Sequence, residues 1–107
     1  MSQRVERNLE ALKALARVNS TVQKAIISTA NKDLVLALVE CAINIIRGNV
    51  TLTKGQYTKL KRYHKHLRQL VRTKTSQRER RSILQTGGFL GALLRPLLGA
   101  LLPNLLK

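Results

Sequence analysis

The chemistry that this sequence makes most available is the neutralisation of phosphate charge by Lys and Arg. Residues 51–81 carry eleven basic side chains and one acidic one. On the helix predicted there, the cations recur at steps of three, four and seven residues, so like charges share one face and repel each other. A polyanion removes that repulsion and loses counterions as it binds. The candidate phosphate contacts are Lys54, Lys59, Lys61, Arg62, Lys65, Arg68, Arg72, Lys74, Arg78, Arg80 and Arg81.

An ordinary solvated surface is the simpler explanation of a charge run. The net charge of +15 over 107 residues, most of it within residues 51–81, favours a polyanionic partner instead. DNA, RNA and an anionic membrane surface all fit, and no motif for reading base edges is present. Tyr57 and Tyr63 could stack on bases, but their spacing predicts that they lie at the edge of the core.

Residue types that support catalysis or metal binding do not cluster in the sequence. The five acidic residues are scattered, and His64 and His66 lie among Lys and Arg with no carboxylate nearby. The single cysteine, Cys41, cannot form an intrachain disulfide, and its apolar neighbours predict a small buried side chain. We therefore predict no enzyme activity, no metal site and no cofactor.

The C-terminal segment is rich in leucine. From Phe89 onward, two large apolar residues alternate with two small or turn-forming ones, which places an apolar stripe on a helix. Pro96 and Pro103 predict two short helical pieces rather than one. The stripe fits a core helix, an amphipathic element in a membrane interface, or a docking surface for a partner protein. Its residues are Phe89, Leu90, Leu93, Leu94, Leu97, Leu98, Leu101 and Leu102.

Four helices are predicted to position these residues. Ser20 with Gln23, and Thr53 with Gln56, match the capping-box pattern at a helix start, and Gly48 predicts a helix stop. The third helix is apolar nearly all round, which is typical of a central buried helix. The periodicity of apolar residues predicts helices at 3–17, 21–30, 33–47 and 54–73.

These elements predict an all-α protein. We expect a small bundle of about four helices at 1–73, which includes the basic helix 54–73. A basic flexible linker at 74–88, ending in Gly87-Gly88, follows it. An apolar amphipathic tail at 89–107 completes the chain.

The order of parts over residues 54–107 resembles a viral protein family. A basic stretch with Arg78, Arg80 and Arg81, then Gly87-Gly88, then a Leu/Pro/Gly/Ala-rich tail is similar to the precursors of the adenovirus minor core protein X, or mu. Related small proteins occur in adintoviruses and Maverick/Polinton elements. The resemblance implies a virion component that condenses double-stranded DNA, helps to disturb membranes on entry, and resides in the virion and host nucleus. Thr86 stands where the family's protease pattern requires the first glycine.

The function that we predict is non-enzymatic, sequence-nonspecific DNA binding and condensation in a viral core. One alternative is a membrane-active protein that binds anionic lipid through its basic face and inserts its Leu-rich tail. A second is a helical scaffold for protein interactions. Double-stranded DNA is the favoured partner, and an anionic membrane, capsid proteins and self-association are the others. The polar N-terminus resembles no signal peptide, so outside a virus we expect an intracellular protein that is not secreted.

Overall fold

The part of the chain that the structure describes, residues 2–101 of this computed structural model, is helical and contains no strand. The all-α prediction is therefore confirmed for these residues, which form a compact body. Its elements are α1 (Gln3–Arg7), α2 (Leu9–Arg17), α3 (Ser20–Thr29), α4 (Lys32–Ile46), α5 (Lys54–Lys61), α6 (His64–Val71), α7 (Gln77–Leu84) and α8 (Phe89–Leu101).

Two helices, α4 and α8, supply most of the core. Helix α4 contacts α1, α6, α7 and α8, and its side chains Val35, Leu38 and Cys41 are fully buried. This central position agrees with the apolar circumference of α4. Helix α8 contacts α2, α4 and α5, so it joins the N-terminal helices to the basic ones.

The segment predicted as an appended tail forms a core helix as far as residue 101. Phe89, Leu93 and Leu97 are fully buried, as are Leu90 and Leu94. The break predicted at Pro96 is wrong, because Phe89–Leu101 is one helix in the structure, and the break predicted at Pro103 lies outside the described residues. Proline removes one backbone hydrogen bond, but the leucines on both sides of it are packed in the core, and their burial holds the helix together.

The segment predicted as a flexible linker contains helix α7. Ser76 is its N-cap, and the Ser76 hydroxyl accepts a hydrogen bond of 3.1 Å from the backbone N–H of Glu79. Ile83 and Leu84 are buried at the other end. Ser76-x-x-Glu79 before an apolar pair is a helix-start signal, and the high charge of the segment obscured it. The division of the chain into domains at 73 and 88 stays a prediction.

Two helices predicted as continuous are each divided in two. Asn8 separates α1 from α2, and its side-chain amide donates to the Arg4 carbonyl and to Asp33 in α4, both at 2.8 Å. Tyr63 lies between α5 and α6. Helix α5 packs on α8 whereas α6 packs on α4 and α7, so the division lets each half reach a different part of the core.

Most of the predicted helix ends agree with the structure. The capping box of Thr53 and Gln56 is confirmed, and Gly48 ends the turn after α4 with a φ of 76°. The predicted capping box of Ser20 and Gln23 is wrong. Asn19 is the N-cap of α3, and the buried Gln23 side chain instead donates to the Leu15 carbonyl at 2.9 Å.

Tyr63 contacts the Gly87-Gly88 turn between α7 and α8. Gly88 has a φ of 81°, a backbone conformation that glycine adopts without strain. The Tyr63 hydroxyl donates to the Gly87 carbonyl at 3.0 Å, and the Tyr63 ring lies 5.5 Å from the Phe89 ring, centroid to centroid. Tyr63 therefore fixes the point at which the last helix begins, and it lies at the edge of the core as predicted.

Truncation of Leu93 tests the role of α8 in the core. Because Leu93 is fully buried, we expect Leu93→Ala to lower the free energy of unfolding by about 2–5 kcal/mol. Urea unfolding followed by circular dichroism measures this change. Leu98→Ala, at a half-buried position of the same helix, is the control and should cost less. Equal stability of Leu93→Ala and the wild type would mean that α8 is an appendage.

The two adjacent glycines allow a matched test of the α7–α8 turn. A Cβ at Gly88 would lie 2.6 Å from the Tyr63 hydroxyl oxygen, whereas a Cβ at Gly87 would meet nothing within 4 Å. We expect Gly88→Ala to destabilise the protein by about 1–2 kcal/mol from its left-handed backbone alone, and by more from the overlap. Gly87→Ala should change little.

The double variant Tyr63→Phe/Gly88→Ala separates the cost of the left-handed backbone at residue 88 from the cost of steric overlap with the Tyr63 hydroxyl. In the Tyr63→Phe background the hydroxyl is absent, so Gly88→Ala should cost less than it does in the wild type. Urea unfolding of the four proteins gives the coupling between the two positions. Equal costs in the two backgrounds would show that the contact has no energetic role.

Candidate nucleic-acid interface

Buried leucines set the orientation of the basic helices. Leu60 in α5 and Leu67 and Leu70 in α6 point into the core. On a helix, the side chains between such anchors face solvent. The capping box of Thr53 and Gln56 satisfies backbone N–H groups at the start of α5 and fixes where this surface begins.

Nine of the eleven predicted phosphate contacts are exposed. They lie on α5, in the α5–α6 turn, on α6 and its C-cap, in the α6–α7 turn, and on the first turn of α7. We call this set the basic surface. Its residues are Lys54, Lys59, Lys61, Arg62, Lys65, Arg68, Arg72, Lys74 and Arg78.

Three of the five acidic residues form ion pairs away from this surface. The ion pairs within residues 2–101 join cations of α1 and α2 to Glu10, Asp33 and Glu40. The hydrogen bond from Asn8, with those from Arg4 at 3.1 Å and Arg7 at 3.2 Å, holds the pKa of Asp33 below its usual value. The described ion pairs therefore leave the basic surface uncompensated.

The one acid within 51–81 is also occupied. The Ser76 hydroxyl donates to the Glu79 carboxylate at 3.1 Å, at the start of α7. A carboxylate there also interacts favourably with the positive end of the helix dipole. Glu79 thus contributes to the folding of α7, and its charge is already counted in the net +10 of residues 51–81.

Arg80 and Arg81 differ from the other predicted contacts because their guanidinium groups bind protein carbonyls. Arg80 donates to the carbonyls of Leu70 at 3.1 Å and Arg72 at 2.9 Å, at the end of α6. Arg81 donates to the Ile27 carbonyl at 2.8 Å, near the end of α3. Helix C-termini leave carbonyls unsatisfied, and arginine is well suited to them. Both side chains are half-buried and act as links between helices.

The prediction that Tyr57 lies at the edge of the core is wrong. Its side chain is 59% exposed, so it does not lie at the edge of the core. It borders a groove of about 280 Å³ together with Ile46, Lys61, His64 and Arg68. An exposed ring among cations offers nucleic-acid bases a stacking surface. No local pattern distinguishes Tyr57 from Tyr63, because which ring is buried depends on where α8 lies.

The Leu-rich stripe offers less free surface than the sequence indicated. Five of its eight residues, from Phe89 to Leu97, are buried, and Leu98 is half-buried. The side chain of Leu101 is not described, and Leu102 lies outside the described residues. Among residues 2–101, the helices lack the combination of length and apolar character that crossing a bilayer requires.

The residues with the potential for metal binding or nucleophilic chemistry remain separate in space. Within the described part of the chain, no three His, Cys, Asp or Glu side chains come together. Cys41 is buried as predicted, and burial, helped by the neighbouring Glu40, raises the pKa of its thiol to about 12. At neutral pH the thiol is therefore protonated and has little nucleophilic character.

Searches against protein-family models, curated proteins and solved structures found no match to this chain.

Two variants in α7 compare an arginine that links α7 to α3 with an arginine that is exposed to solvent. Arg81→Gln removes a charged hydrogen bond to the Ile27 carbonyl, and we expect a loss of about 1 kcal/mol in the free energy of unfolding. Arg78→Gln, at an exposed position of the same helix, should lie within about 0.5 kcal/mol of the wild type. Urea unfolding measures both, and equal stabilities would contradict the linking role of Arg81.

Proposed function

We propose that this chain is a non-enzymatic protein that binds and condenses DNA without sequence specificity. The observation that supports the proposal is the basic surface, nine exposed cations on neighbouring helices that have no ion pair within residues 2–101. A surface of this kind is electrostatically unfavourable alone, and a polyanion relieves the repulsion.

Phosphate neutralisation is the mechanism that these residues support. Lys and Arg bind backbone phosphates, which every DNA sequence presents alike, so the contacts position the protein without reading bases. Each phosphate contact releases counterions, so the logarithm of the binding constant falls with the logarithm of salt concentration by about 0.9 per contact. Neutralised duplexes repel one another less, which is the physical basis of the proposed condensation.

A virion is the setting that we propose for this activity, on the strength of the resemblance to adenovirus minor core precursors. Two parts of that resemblance have structural roles in this chain. Arg80 and Arg81 bind helix carbonyls, and Gly87-Gly88 forms a turn whose Gly87 carbonyl accepts a hydrogen bond from Tyr63. The proposal for DNA therefore relies on the nine cations of the basic surface, which precede those parts in the sequence.

The membrane and scaffold alternatives both relied on the Leu-rich stripe. Five of the eight residues of that stripe are buried, so within the described residues the stripe supports these alternatives less than the exposed basic surface supports DNA binding.

Fluorescence anisotropy with labelled duplexes of two unrelated sequences tests the proposal. The wild type should bind both duplexes with similar affinity, and the affinity should fall steeply as salt is raised. Arg68→Gln should weaken binding to both duplexes and reduce the salt slope by about 1. Arg17→Gln, an exposed position in α2, makes the same change of charge outside the basic surface and should have a smaller effect. Absence of binding at low salt would refute the proposal.

A further inference from the structure

Helices α5 and α8 form a groove that was not predicted from the sequence. Its volume is about 560 Å³, within the range of about 300–1,000 Å³ that is usual for ligand sites. Helix α5 and the α5–α6 turn contribute one wall, and the start and middle of α8 contribute the other. The lining residues include Lys59, Arg62, Tyr63, Gly91 and Arg95.

The charges in this groove are all of one sign. Lys59 and Arg62 come from the basic surface, and Arg95 is the one charged residue of α8. No acidic residue lines the groove, and the described ion pairs involve none of these three cations. A cleft lined by one sign of charge concentrates the electrostatic field and attracts counterions of the opposite sign.

The exposure of Arg95 is unusual for its helix. Its neighbours Leu93, Leu94 and Leu97 are fully buried, whereas Arg95 is exposed at the groove. The planar guanidinium of arginine binds phosphate oxygens in pairs, a geometry that lysine lacks. Arg95 therefore adds a third cation, from the Leu-rich segment, to the two that α5 and the α5–α6 turn supply. Its position among leucines in the sequence did not indicate this role.

Small residues leave room for a ligand between the cations. Gly91 and Ala92 of α8 and Gly55 of α5 line the groove. A Cβ on Gly91 would meet no atom within 4 Å, so this position faces open space. A larger side chain there would occupy part of the groove without disturbing the packing of the core.

We propose that the groove between α5 and α8 is a phosphate-binding site, in which Arg95, Lys59 and Arg62 hold the oxygens of one phosphate group. Under the DNA-binding function proposed above, on which this part rests, the occupant is a backbone phosphate. The groove then extends the basic surface from α5 onto α8 and adds Arg95 to the contacts.

Two variants test the groove, and a control variant removes one positive charge elsewhere in the protein. Arg95→Gln removes a phosphate contact, and Gly91→Leu fills the groove while the charge is unchanged. Lys32→Gln is the control, because Lys32 is exposed in α4 next to Asp33, far in sequence from the basic surface. Circular dichroism of each variant establishes that it is folded.

Binding to a labelled 20-base-pair duplex is measured by anisotropy at several salt concentrations. At 0.1 M salt we expect Arg95→Gln to bind roughly tenfold more weakly than the wild type, since one released counterion contributes about that factor. Its salt slope should fall by about 1, and Lys32→Gln should change affinity less than about twofold. Gly91→Leu should also bind more weakly. Equal effects of Arg95→Gln and Lys32→Gln, or wild-type affinity of Gly91→Leu, would overturn the occupation of the groove by DNA.

Inorganic phosphate serves as a probe that does not depend on DNA binding. In nitrogen-15 spectra of the full chain, added phosphate should shift the amide signals of Gly88, Gly91 and Ala92 in the wild type and much less in Arg95→Gln. Should the wild type fail to bind duplex DNA while these shifts occur, the DNA function falls and the phosphate site stands. Should the shifts be absent or equal in Arg95→Gln, the site falls even if DNA binds elsewhere.

Discussion

The burial of one face of helix α8 is the interaction on which the rest of the fold depends. Phe89 and four leucines of this helix lie in the core against α2, α4 and α5, which come from the beginning and middle of the chain. Tyr63 and Gly88 fix where the helix begins. Without α8, the apolar sides of α2 and α5 would face solvent, and the basic helices would lose one of their supports.

The fold separates the cations into those that bind other groups of the protein and those that remain exposed. The acids of α4 bind Arg4 and Arg7, and Arg80 and Arg81 satisfy carbonyls where α6 and α3 end. These four arginines therefore stabilise the fold. The exposed cations of α5 and α6 make no such contacts in the described residues, so their charge is available to a ligand.

The sequence predicted the features that local contacts decide. The capping box of Thr53, the stop at Gly48 and the apolar helix α4 each depend on residues within one or two turns. The break at Asn8 could not be predicted in this way, because its side chain binds Asp33, 25 residues away. The exposed cations of the basic surface could be predicted, because helix periodicity is a local property. The roles of Arg80, Arg81 and Arg95 could not, because they depend on which helices come together in the fold.

The contrast between the basic surface and the α8 turn has a consequence for how this protein can change over evolutionary time. Lysines and arginines that act through their summed charge can move to neighbouring positions or exchange with each other at little cost. Gly88 and Tyr63 have no such freedom, since the hydroxyl of one occupies the space that any side chain on the other would need. Relatives of this chain are therefore expected to share a tyrosine and a glycine twenty-five positions apart, followed by the apolar spacing of α8, long after their basic residues have ceased to align.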